Sequence, residues 1–368
     1  MKISDLDTPT LLIDQDILIA NLRSMQEYAN QCHIQLRPHT KTHKMPFIAV
    51  MQQDIGAAGI AVAKVGEAEI MATHGLHNIM IANEITGRKK LERIAKLMDS
   101  CTILYGADSV YQIQEAEMVF AKHEKTAEIV IEIEVGENRS GIIREADFEA
   151  ILLEIKKSPH VVYKGIFGHD GNTYRANSIE HCREISLNAQ KRLLYFAALA
   201  EKLGYKSEVV SYGSTPAALC GCEILHGITE LRIGTYALMD SSQAHINGDF
   251  SKCAATVLAT VMSRPTSDRI ILDVGAKGLT MQERKEGICC SGGKGYILDY
   301  PDTVIDSMFD EHAIIHSETF QNAVKTGDKV RVIPAHICPV VNLYDSAVFH
   351  SGEEVIGEIP VLCRGKLQ

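Results

Sequence analysis

Between residue 10 and about residue 240, short apolar runs alternate with amphipathic stretches, a rhythm that few architectures can accommodate. Candidate strands fall at 10–13, 34–41, 59–63, 78–83, 101–105, 128–135, 162–169, 208–211 and 231–239. Between them lie candidate helices, of which 16–31 and 179–203 show apolar residues three or four apart. Asp108 precedes SVYQIQEAEMVFAKH and Ser178 precedes IEHCREISLNAQKRLLYFAALAEKL, both as helix-capping signals. Strand–helix alternation implies parallel strands joined by helical crossovers. Eight or so such units predict a closed (β/α)8, TIM-like barrel, with an open doubly wound sheet as the alternative.

The rhythm changes after about residue 245. Runs at 256–262, 269–274, 295–298, 329–333, 346–349 and 355–362 read as strands with few helices between them, punctuated by turn segments such as SGGKGY and KTGDK. The expected organisation is a barrel over residues 1–245 and a mostly antiparallel β domain over 246–368, with the boundary near 241–251. No repeat or low-complexity segment interrupts either part.

Composition excludes several classes. Hydrophobic residues at 46% and charged residues at 23% exclude a disordered or fibrous chain. A net charge of −10 argues against a nucleic-acid partner, which needs a basic surface. No run of about 20 apolar residues predicts a membrane span, and the opening MKISDLDTPT lacks the apolar core of a signal peptide. The ten cysteines show no repeated CxxC pairs, so they read as cytosolic thiols rather than a disulfide framework or zinc finger, and a cytoplasmic protein is expected.

Three segments carry candidate chemistry. LRPHTKTHK at 36–44 packs Arg37, His39, Lys41, His43 and Lys44 into the end of the second candidate strand, the catalytic face of a βα barrel. Alternation puts Arg37, His39 and Lys41 on one face. A lysine beside other cations has its amine pKa lowered, and a neutral amine forms Schiff bases; the competing reading is an inert basic turn. SYGSTP at 211–216 follows a strand and precedes AALC, so its Gly, Ser and Thr could cradle a phosphate or simply cap a helix. In VIPAHICPVVN at 332–342, His336 and Cys338 are two apart, and extended backbone would point both to one side as zinc ligands. A buried cysteine beside a hydrogen-bonded histidine is the alternative.

In this order the segments resemble the fold-type III pyridoxal-phosphate enzymes of the D-threonine aldolase and D-serine dehydratase group, whose barrel is related to alanine racemase. The matching pieces are DLDTPTLLID, RPHTKTHK, AKVGEAE, NRSGI, GIFGHDGNTY, YGSTP, LRIGTYALMD, LDVGAKGLT and PAHICPVVN, spread over nearly the whole chain. GIFGHDGNTY is less aromatic at its centre than is usual, and HSETFQ at 316–321 matches the usual Ser-Glu-Glu-His only in part.

The resemblance implies that Lys41 carries pyridoxal 5'-phosphate, with Gly213, Ser214 and Thr215 at its phosphate and Tyr212 beside them. It places Arg139 near the ring oxygen, His169, Tyr174 and Tyr236 along the site, and Asp240 in the last barrel segment. His336 and Cys338 would hold a divalent metal, Zn²⁺ above Mn²⁺ or Mg²⁺. The site would form at the interface of a homodimer. The implied substrate is a small D-3-hydroxy amino acid. Dehydratase-like loss of water gives a 2-oxo acid and ammonia; aldolase-like cleavage gives glycine and an aldehyde. The dehydratase branch resembles HxC whereas aldolases often carry HxD, so Cys338 favours dehydration. A racemase would need a second base that the sequence does not reveal, and non-catalytic cofactor-binding relatives are single barrels without the added β domain.

Overall fold

The computed structural model describes residues 1–300 and 302–368, arranged on two sheets. Strand β1 (Thr10–Asp14) leads into helix Gln15–Gln31. The Asp14 carboxylate caps that helix by accepting the backbone N–H groups of Asp16 and Ile17, each at 3.0 Å. Eight strands then form one parallel sheet: β2 (Gln35–Leu36), β3 (Ile60–Val62), β4 (Asn78–Glu84), β5 (Thr102–Ala107), β6 (Ala127–Glu132), β7 (Val161–Phe167), β8 (Val209–Tyr212) and β9 (Glu230–Leu231). Helices cross between most successive strands. That of residues Ile179–Lys202 starts where the Ser178 hydroxyl accepts from His181 N–H, as expected. In helix Val110–Lys122 the capping runs the other way: the Gln112 side chain accepts the backbone N–H groups of Asp108 and Ser109.

The sheet curls in the order β2-β9-β8-β7-β6-β5-β4-β3, and its two ends meet. His39 and Ala61 form a parallel bridge, the Thr40 N–H donates to the Ala61 carbonyl, and the Ala61 N–H donates to the Pro38 carbonyl, both at 2.8 Å. The expected barrel therefore closes immediately before Lys41. Ala61, Met80, Leu104, Val130 and Phe167 pack as one small cluster inside it. Their neighbours Ile60, Ile79, Ile103 and Ile129 join the larger core under the helices, the alternation that a sheet covered on one face requires.

Two expected strands are cut short. The run at 34–41 is a strand only at β2, because Pro38 has no N–H for a ladder and the chain turns at Thr40. The run at 231–239 leaves the sheet after Leu231 and turns through Thr235–Ala237. Gly234 lies so close to this turn that a Cβ there would sit 2.6 Å from the His39 carbonyl oxygen.

The second sheet has nine strands: β1, β10 (Ala255–Ser263), β11 (Arg269–Leu272), β12 (Gly295–Ile297), β13 (Ser307–Met308), β14 (Ala313–His316), β15 (Lys329–Pro334), β16 (Ser346–Ser351) and β17 (Glu354–Pro360). All pairs are antiparallel except β1 with β16. The six expected strands appear, and β13 and β14 are additional. The expected strand at 10–13 does not belong to the barrel. Leu11, Leu12 and Ile13 are fully buried between β10 and β16. A short run of buried aliphatics satisfies either sheet equally well, so its sequence position was a poor guide to its partner.

A buried polar seam ties the barrel floor. Arg37 Nε donates to Glu230 at 2.6 Å, Arg37 Nη1 donates to Asn78 Oδ1 at 2.9 Å, and Ser211 Oγ donates to Glu230 at 2.8 Å. These contacts connect β2, β9, β4 and β8. Removing one partner of a buried ion pair strands the other charge. Glu230→Ala should therefore destabilise the protein by about 3–5 kcal/mol in chemical denaturation, and Arg37→Met with Glu230→Leu should recover most of that loss. Equal stability of wild type and Glu230→Ala would refute a structural role for the seam.

Candidate active site

The C-terminal ends of the barrel strands surround a cavity of about 440 Å³. Lys41 follows β2, Asn83 lies in β4, Glu132 ends β6, His169 follows β7, Gly213 and Ser214 follow β8, and Arg232 follows β9. The second sheet adds Arg284 from the loop before β12, and His336 and Cys338 from the segment after β15. Chemistry at this end of the strands is the general rule for parallel barrels.

The Lys41 amine has no acidic partner among the described residues. Burial, opposed by Cys338 and assisted by Arg139 and Arg232, holds its pKa below that of ordinary lysine. His39 and His169 are held well below the usual histidine range, each by burial first and then by the Lys41 charge. His169 Nδ1–H donates to the Gly213 carbonyl at 3.2 Å, which leaves its Nε2 lone pair free.

Gly213 has φ +127°, and a Cβ there would fall 2.6 Å from Leu231 Cδ1. The Ser214 hydroxyl shares a 2.8 Å hydrogen bond with Thr173, and the buried Thr215 hydroxyl has no partner. A side-chain-free turn flanked by neutral donors and an orphaned hydroxyl fits a phosphate group. Across the cavity Arg139 lies 3.3 Å from Glu132, which also accepts from the Ser140 hydroxyl at 3.0 Å. Arg232 is buried, with Nη2 donating to the Gly168 carbonyl at 2.9 Å and its guanidinium 5.2 Å from the Phe167 ring centroid.

The His336–Cys338 segment differs from expectation in backbone. His336 is extended and Cys338 lies in the short helix Ile337–Val341, where Pro339 is tolerated in the first turn. Both side chains still line the cavity. His336 Nδ1–H donates to Gln282 at 2.9 Å, which fixes the tautomer with Nε2 free for a metal. Cys338 Sγ lies 3.3 Å from the Thr42 hydroxyl. Imidazole and thiolate suit zinc, and two protein ligands leave coordination positions open. No set of three or more His, Cys, Asp or Glu poised for a metal occurs among the described residues.

Of the twelve expected site residues, Lys41, Arg139, His169, Tyr174, Gly213, Ser214, His336 and Cys338 line the cavity. Thr215 is buried just behind Ser214. Three do not line the cavity. Tyr212 is fully buried and shares its hydroxyl hydrogen bond with Ser186. The turn at Thr235–Ala237 directs Tyr236 away, where its hydroxyl accepts from Gln52 at 3.0 Å. Asp240 sits behind the metal-ligand candidates and accepts from Ile337 N–H at 3.1 Å, so it positions that helix without reaching the cavity. Sequence reasoning missed Arg232, Glu132, Glu137, Arg175 and Arg284. Only Glu132 and Arg232 carried a signal, as polar residues at barrel strand ends.

Comparison with known proteins gives the family. Residues 13–242 match the family model "Alanine racemase, N-terminal domain", and residues 254–350 match a serine dehydratase domain. The chain belongs to the alanine racemase N-terminal domain family. It is 31% identical to a D-threonine aldolase of Arthrobacter sp. over 93% of this chain and 88% of that protein. Identity to a D-threo-3-hydroxyaspartate dehydratase of Delftia sp. is 28%, covering 90% of this chain and 91% of the relative. The solved D-threonine aldolase of Filomicrobium marinum superposes with a TM-score of 0.89 at 27% identity, covering 100% of this chain and 98% of that one. A D-threo-3-hydroxyaspartate dehydratase with a cysteine-to-alanine change has been solved in a metal-free form, and it superposes with a TM-score of 0.90 at 25% identity over 98% of this chain and 99% of that one. Aldolases and dehydratases of this kind are lyases, and this chain is a lyase of the same family. No helix among the described residues is long and apolar enough to cross a membrane.

One half-buried carboxyl near the site has a measurable consequence. Burial, and then Glu132, raise the Glu84 pKa from 4.5 to about 8. The folded state therefore holds a proton that the unfolded chain has already released, and this contribution to stability is lost as pH rises from about 4.5 to about 8. Glu84→Gln should flatten the fall in Tm across that window. An unchanged slope would refute the raised Glu84 pKa.

Proposed function

We propose that the protein is a pyridoxal-phosphate- and metal-dependent dehydratase that removes water from a D-3-hydroxy amino acid, giving a 2-oxo acid and ammonia. The observation that carries this reading is the His336–Cys338 pair facing the same cavity as Lys41. When bound, the cofactor supplies an electron sink at Cα and the metal supplies a Lewis acid.

The chain's own residues account for the rest. Lys41 is the covalent attachment point, and its lowered pKa leaves a neutral fraction able to remove the Cα proton. The Gly213–Thr215 turn would hold the phosphate. His169, neutral and oriented by the Gly213 carbonyl, offers an acceptor that cannot compete as a cation. Arg139 would lie at the ring oxygen, kept in place by Glu132. His336 and Cys338 would hold the metal, with Gln282 behind His336. The reading extends to a cytosolic homodimer, in keeping with ten cysteines that form no disulfide.

The second reading is retro-aldol cleavage, supported by the 31% identity to the Arthrobacter D-threonine aldolase. Here the proton removed is that of the 3-hydroxyl, and the Cα–Cβ bond breaks in place of Cβ–O. Incubation with D-threonine separates the two. Dehydration yields 2-oxobutanoate and ammonia, whereas aldol cleavage yields glycine and acetaldehyde and would overturn the proposal. Lys41→Ala should lose the visible absorption of covalently held cofactor and reduce turnover by about a thousandfold or more. Chelation should stop turnover and Zn²⁺ should restore it; full activity of a metal-free preparation would exclude the metal's role.

A further inference from the structure

The cavity holds more positive charge than the assigned chemistry consumes. Lys41, Arg175, Arg232 and Arg284 all line it, and none pairs with a carboxylate among the described residues. Only Arg139 has an acidic partner there, Glu132. The phosphate turn is built from neutral donors, so it leaves the arginines free for other anions.

Two of those arginines stand together at the mouth. The Arg284 guanidinium lies 4.2 Å from the Tyr174 ring centroid, and its buried Nε has no hydrogen-bond partner. Its backbone is pinned: Arg284 N–H donates to the buried Ser291 hydroxyl at 3.2 Å, and Ser291 N–H donates to the Arg284 carbonyl at 2.9 Å. The same loop is tied to the barrel by Ile288 N–H donating to the Ala176 carbonyl at 2.7 Å, next to Arg175. Neither guanidinium donates a hydrogen bond to any described residue. Glu137 faces both without bonding either, and its own buried Oε2 is unpartnered. Gln282, two residues before Arg284 in the same loop, accepts from His336 Nδ1 at 2.9 Å, and Arg284, His336 and Cys338 line one cavity, which puts Arg284 on the side of the candidate metal ligands where the substrate's β-carbon substituents would lie.

An amino acid needs one cationic partner for its α-carboxylate. Two unpaired, fork-shaped donors at the mouth exceed that need and match a second carboxylate. We infer that Arg284, with Arg175 beside it, binds a carboxylate on the substrate side chain, so that the enzyme prefers a D-3-hydroxy amino acid bearing two carboxylates over D-serine or D-threonine. This inference rests on the reading of the chain as a lyase of D-3-hydroxy amino acids.

The test compares kcat/KM for D-threo-3-hydroxyaspartate and D-threonine in wild type, Arg284→Met and Arg175→Met holoenzyme. Wild type should prefer the dicarboxylate by about tenfold or more. Arg284→Met should lose about a hundredfold on the dicarboxylate, mainly in KM, and less than about threefold on D-threonine. Arg175→Met should show the same selectivity in smaller measure. Equal losses on both substrates would assign Arg284 to the α-carboxylate and overturn the inference while leaving the lyase reading intact. Retained cofactor absorbance and Tm show that each variant is folded. A second measurement needs no turnover: D-aspartate should raise the Tm of wild type but not of Arg284→Met, and D-alanine should raise neither. If no D-3-hydroxy amino acid is turned over yet D-aspartate stabilises in this Arg284-dependent way, the lyase reading fails and the carboxylate site stands. If D-aspartate and D-alanine stabilise equally, the inference is overturned.

Discussion

The buried Arg37–Glu230 pair is the contact on which the barrel's closure and the placement of Lys41 both depend. Arg37 leaves β2 two residues before the bridge that joins His39 to Ala61, and its partner sits at the start of β9. Both charges are almost wholly buried, so each requires the other. With Asn78 and Ser211 completing the set, the floor of the barrel is cross-linked by polar contacts of defined direction where an apolar layer could slide. Register at the floor sets register at the mouth. Lys41 lies four residues beyond Arg37, and a one-residue slip would move it out of the cavity.

The second sheet completes the site. Strand β1 is wedged between β10 and β16, so the segment preceding the barrel is built into the other domain and ties the two parts. That arrangement brings Cys338 beside Thr42, 296 positions away along the chain. Asp240, at the exit of the barrel, accepts the Ile337 N–H and fixes the helix on which Cys338 rides. A site assembled across two sheets in this way can place a soft metal-ligand pair against a lysine without either element carrying both.

Legibility in the sequence followed the range of the interactions involved. Helices Gln15–Gln31 and Ile179–Lys202 were readable because capping and 3.6-residue periodicity are local. The (β/α)8 class followed from alternation. RPHTKTHK and HICP were readable as chemistry because unusual residue types are concentrated in a few positions. What could not be read was set at long range. The partner of residues 10–13 depends on which sheet offers free backbone groups. The orientation of Tyr236 depends on a turn forced by the close approach of Gly234 to His39. Arg284 lies in a loop without periodicity, and only its tie to Ala176 brings it over the barrel.

The charge of the chain shows how a whole-molecule argument and a site argument can point in opposite directions. A net charge of −10 makes a poor surface for a polyanion such as nucleic acid. Charges on that surface are screened over roughly 8 Å at physiological ionic strength. The cavity is walled in part by buried side chains such as His39, Ser214 and Arg232, where screening is weaker and each cation counts for more. Lys41, Arg139, Arg175, Arg232 and Arg284 converge there against only Glu132 and Glu137. An acidic protein can therefore be a selective receptor for small anions, because selection is exercised by the few charges gathered around one cavity. Burial first, and this excess after it, push Lys41, His39 and His169 toward their neutral forms, and an incoming anion offsets the second contribution at all three.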